Sequence, residues 1–67
     1  MNIKKFKQVL DILCKYDGVE EDYMCAEHGE IYLPGPDVTE MDPEDVIALD
    51  KLGAWWSEEV NSWGIFT

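Results

Sequence analysis

Apolar residues recur at Ile3, Phe6, Val9, Leu10 and Leu13, the 3.6-residue period of a helix laid against a core. Asn2 stands in front of that run as an N-cap, so a helix is predicted from there to near Tyr16, with Gly18 just past its end. The pattern then changes. Tyr23–Ala26 and Glu30–Leu33 read as two short strands, and Glu27-His28-Gly29 as the turn between them, with Gly29 free to take positive φ. Alternation sets Ile31 and Leu33 against Tyr32 on opposite faces, and Pro34-Gly35-Pro36-Asp37 ends the strand.

The last third carries the strongest local signals. Asp42 is an N-cap, Pro43 fits the first helical position, and Glu44 and Asp45 put negative charge at the positive end of the helix dipole. Met41 can staple onto Val46, while Val46, Leu49 and Leu52, with Ile47, form an apolar stripe that Gly53 stops, which predicts a helix over 43–52. Ala54–Ser57 and Ser62–Phe66 then flank a turn at 58–61. Pairing Ser57 with Ser62 places Trp56 opposite Trp63 and Ala54 opposite Ile65, all four on one face. The other face carries Trp55, Ser57, Ser62, Gly64 and Phe66, with Trp55 able to cover the bare backbone of Gly64. Trp56 and Trp63 are expected in the core, and Trp55 with Phe66 either joins them or forms an exposed aromatic contact patch. The fold expected is α+β: a small single domain over 1–67, α-β-β-α-β-β, with an antiparallel sheet and two helices on one face.

Eight aromatics in 67 residues make a core feasible at this length and argue against disorder. Charge changes the picture more. Residues 1–15 hold Lys4, Lys5, Lys7 and Lys15 against Asp11, whereas residues 16–67 hold Lys51 against 14 acids, and the total is −10. Arginine is missing from the sequence. A chain of this balance is not expected to bind nucleic acid directly, because phosphate neutralisation normally needs a basic surface. No apolar run reaches membrane-spanning length and no signal-peptide pattern opens the chain, so a cytoplasmic protein is expected.

Candidate chemistry is sparse. Cys25-x-x-His28 has metal-like spacing, and Cys14 with a carboxylate would complete four zinc ligands, but Cys14 lies near the helix core face and Cys25 fills a strand position. The same cysteine and histidine lack an orienting group for nucleophilic catalysis. The acidic run at 17–22 lacks the alternating ligands and distal glutamate of a calcium loop. Both cysteines are expected free. The expectation is a protein without catalytic residues, metal or cofactor.

The acidic surplus is the signal that remains. A domain of this size spans roughly 25–30 Å, and duplex DNA of that length carries about 15 charges, close to the number of acids here. His28-Gly29-Glu30-Ile31-Tyr32-Leu33 and Leu52-Gly53-Ala54-Trp55-Trp56-Ser57-Glu58-Glu59-Val60-Asn61-Ser62-Trp63 resemble small acidic accessory proteins encoded by bacteriophages and prophages. Members of that group would be expected to carry an acid at the place of Gly29 and an aromatic at that of Ala54. In size and acidity the chain is similar to anti-CRISPR proteins that imitate DNA. The resemblance implies an inhibitor acting in the host cytoplasm on the basic nucleic-acid-binding surface of a host protein, such as a subunit of a CRISPR effector. Glu20, Glu21, Asp22, Glu27, Glu30, Asp37, Glu40, Asp42, Glu44 and Asp45 would supply the field, and Trp55 or Tyr32 an anchor. The alternative is an interaction module docking through an aromatic sheet face, including as a homodimer.

Overall fold

In the computed structural model, which describes residues 1–66, the helix α1 runs over Ile3–Leu13 and the helix α2 over Pro43–Lys51. The strands are β1 (Cys25–Glu27), β2 (Glu30–Leu33), β3 (Trp55–Ser57) and β4 (Ser62–Phe66). They form one antiparallel sheet in the order β1-β2-β4-β3, so the two hairpins meet through β2 and β4. The α+β architecture is the expected one.

Local chemistry explains most boundaries. The Asn2 side chain accepts from the Lys5 amide, and the Asp42 side chain from that of Glu44. Asp45 does not turn back to complete a capping box with Asp42; its carboxylate goes to other partners. Gly53, at φ 92°, closes α2 in a conformation that disfavours any other residue. The β1–β2 turn uses positive φ at both His28 (50°) and Gly29 (78°), as a two-residue type I′ hairpin turn requires.

Four expectations need correction. α1 stops at Leu13 rather than near Tyr16, because the backbone tightens: the amides of Lys15 and Tyr16 bond three residues back, to Ile12 and Leu13. Gly18 therefore does not cap α1 but opens a short 3₁₀ turn at Val19–Glu21. Ile3 and Ile47, each counted in the apolar stripe of its helix, are 78% and 55% exposed. β1 starts two residues later than predicted and ends at Glu27. The loop before α2 also contains a 3₁₀ turn at Val38–Glu40, capped by Asp37, which accepts from the Thr39 amide.

The core lies between the helices and one sheet face. Val9 and Leu13 of α1, Leu49 of α2 and Met41 before it meet Leu33, Trp63, Ile65 and Ala54. Trp56, pairing with Trp63 as the hairpin register required, is half-buried, its ring edge-on to Trp63 at 5.7 Å. A Cβ on Gly35 would lie 2.8 Å from Trp63 Cδ1 and 3.1 Å from Leu13 Cδ2, so the Pro34–Pro36 segment presses its backbone onto the indole. β1 is an edge strand of the sheet with all three residues exposed. The opposite sheet face has no helix on it, since both helices pack on the first.

Candidate functional site

The strand registers decide which side chains share the uncovered face. Cys25, Tyr32, Gly64 and Trp55 form one row across the four strands, and Glu27, Glu30 and Phe66 form the next. Gly64 is there because Trp55 lies across it: a Cβ would come within 2.7 Å of the indole. Trp55 continues onto Phe66, ring centres 4.4 Å apart and planes tilted by 34°. Trp55 is half-buried and Phe66 is 61% exposed. Beside them the Tyr32 hydroxyl donates to Glu30 Oε2. That bond, partial burial and the nearby charges of Glu30, Glu27 and Glu59 hold the Tyr32 phenol above its ordinary value.

A second acidic zone surrounds Tyr16. Because α1 ends early, the Tyr16 hydroxyl reaches α2, donating to Asp45 Oδ2 at 2.6 Å and accepting from the Asp42 amide at 3.0 Å. Lys15 Nζ donates to the other oxygen of Asp45 at 2.7 Å. Asp45 is thereby held below the ordinary carboxylate range, first by the Lys15 hydrogen bond and then by that of Tyr16. Next to this network lies an open groove of about 510 Å³ lined by Tyr16, Asp17, Asp22, Glu40 and the Pro34–Pro36 turn. Glu20 and Asp22 border a smaller apolar hollow with Met24 and Leu33.

The expected binding residues thus separate. Glu27, Glu30, Tyr32 and Trp55 come together on the open sheet face. Asp22 and Glu40 share the groove, joined by Asp17, which sequence reasoning did not single out. Asp42 and Asp45 meet at Tyr16, and the charge of Asp45 is balanced by Lys15. Asp37 caps a turn, while Glu20, Glu21 and Glu44 are exposed. Glu59 and Tyr16 were also missed. Glu59 sits in a turn whose direction no local pattern reveals, and Tyr16 joins the acidic zone only through a contact 29 residues away.

Among the described residues the ion pairs are Lys15–Asp45 and the 3.7 Å approach of His28 to Glu27. Lys4, Lys5 and Lys7 form no ion pair among the described residues. Cys14 and Cys25 are free thiols, and no group of three or more histidine, cysteine, aspartate or glutamate side chains among the described residues is arranged to hold a metal ion. No described helix is long and apolar enough to cross a membrane. Comparison with protein families, with characterised proteins and with solved structures finds no match.

The Asp45 network has a pH signature. A carboxylate whose value is lowered by folding contributes stability that is full above its unfolded value and is lost as pH falls through the folded one. Asp45→Asn is expected to lower the urea midpoint at neutral pH. The gap between wild type and variant should then close as pH falls below the carboxylate range. A gap that stays constant into strong acid would show that the network contributes through packing and not through charge.

Proposed function

We propose that this protein is a non-enzymatic inhibitor that binds the basic nucleic-acid-binding surface of a host protein and blocks access of DNA. Its resemblance to phage-encoded accessory proteins and to DNA-imitating anti-CRISPR proteins points to a CRISPR effector subunit as the partner class. The observation that carries the reading is the uncompensated surface: of 15 acids, Asp45 alone is held by a lysine among the described residues. Self-repulsion on that scale opposes the compact state, and a cationic partner offsets it. The longest axis of the molecule is 28 Å, and a duplex of about that length carries roughly 16 phosphates. The carboxylates form two separate zones, Glu27 and Glu30 on the sheet face and Asp17, Asp22 and Glu40 around the Tyr16 groove.

A second reading is supported by the Trp55–Phe66 pair, which is aromatic surface without a cover. It makes the sheet face a docking module for an apolar groove. The deciding experiment is capture from bacterial lysate followed by elution with duplex DNA. Captured proteins should be nucleic-acid binders, and DNA should release them. Capture of proteins that duplex DNA does not displace would overturn the inhibitor reading in favour of aromatic docking.

A further inference from the structure

Two features of the open sheet face conflict with ordinary sheet design unless something covers them. Glu27 and Glu30 are directly opposite each other on neighbouring strands, and like charges in that relation work against the pairing. Positive groups nearby include His28, 3.7 Å from Glu27 and charged only when protonated, and the N-terminal ammonium, which bonds the Phe66 carbonyl at 3.3 Å. Against these carboxylates stands the Trp55–Phe66 surface.

Carboxylates beside exposed aromatic rings match one side chain better than any other. A guanidinium stacks on a ring face while its planar donors form paired hydrogen bonds to a carboxylate; an ammonium does the first less well and the second not at all. The chain contains no arginine of its own to fill the position. A second copy does not fit either, because it would bring another net −10 and another Glu27–Glu30 pair onto the same face.

We propose that the face formed by Glu27, Glu30, Tyr32, Trp55 and Phe66 docks an arginine-bearing segment of the basic partner. This deepens the inhibitor reading and rests on it for the source of that segment. The face holds the arginine side chains, while the remaining acids supply long-range attraction.

The test uses a short oligo-arginine peptide and an oligo-lysine peptide of equal length, titrated into the intact protein at low salt and followed by tryptophan fluorescence and amide shifts. The arginine peptide is expected to bind about tenfold tighter, and to shift the amides of β2 and β4 most. Glu27→Gln with Glu30→Gln should weaken it about tenfold, while Glu20→Gln with Glu21→Gln, which removes the same charge elsewhere, should weaken it by about threefold or less. The first pair relieves repulsion and so retains the fold; Phe66→Ser, on an exposed ring, gives an independent loss. Equal affinity for the two peptides, or equal loss in the two double variants, overturns the proposal and leaves overall charge as the cause. Lysate capture separates the two claims. If the Glu27→Gln, Glu30→Gln protein still captures DNA-releasable partners at wild-type level, the sheet face is wrong and the inhibitor reading stands. If wild type captures none while the peptide results hold, the inhibitor reading fails and the arginine site remains.

Discussion

Trp63→Ala is expected to leave the protein unfolded at room temperature. The Trp63 indole is 2% exposed and lies at the centre of the core, in contact with the Trp56 ring and pressed by Gly35. Removing a buried tryptophan side chain costs about 3–5 kcal/mol. A single core in a chain this short supplies rarely more than about 3–5 kcal/mol in all. The two quantities are equal, so nothing remains to hold the fold. Loss of amide dispersion and of the near-ultraviolet circular dichroism of the tryptophans is the readout. Trp63→Phe should survive, with a lowered urea midpoint. The indole Nε1 is buried without an acceptor among the described residues, so phenylalanine removes volume but no hydrogen bond. A folded, cooperative Trp63→Ala protein would show that the core is organised around another residue.

Raising the ionic strength is expected to strengthen the fold and weaken partner binding. The screening length falls from about 30 Å at 0.01 M salt to about 3 Å at 1 M, and the longest axis of the molecule is 28 Å. At the low end every carboxylate acts on every other; at the high end only neighbours do. With net charge −10 and a single lysine–carboxylate pair among the described residues, the sum of those interactions is repulsive, so screening stabilises. A gain of about 1 kcal/mol would read as a rise of about 4–8 °C in Tm for a domain of this size. The same screening removes electrostatic steering, which raises association rates by about 10–10³. Opposite signs in the two measurements are the signature of an acid surplus kept for a partner. Stability that falls with salt would assign the net charge effect to attractive pairs, and binding that ignores salt would transfer the interaction to the aromatic rings.

Some of this was legible in the chain because it depends on neighbours in sequence. The caps at Asn2 and Asp42, the stop at Gly53 and the two hairpins all follow from short-range chemistry. The β3–β4 register was legible too: one pairing alone places Trp56 against Trp63 and Trp55 over Gly64, and a slip of one residue in β4 would turn Trp63 and Ile65 away from the core. The end of α1 was not legible, since its final turn is tightened and Tyr16 is tied to Asp45 on a distant helix. Nor was the exposure of Ile3, which satisfies the helical period but lies at the uncovered N-terminal end.

For the candidate site the division is sharper. The sequence by itself determined the sign and size of the charge, the lack of arginine and the aromatic content, because these are properties of composition. Only the tertiary structure decided where the charge acts. Joining β2 to β4 brought Glu27, Glu30 and Phe66 into one row and Tyr32 and Trp55 into the next, although the two hairpins are far apart in the chain. That pairing is a long-range event, set by both hairpins burying their apolar faces under the same helices, and no local pattern encodes which strand edges will meet.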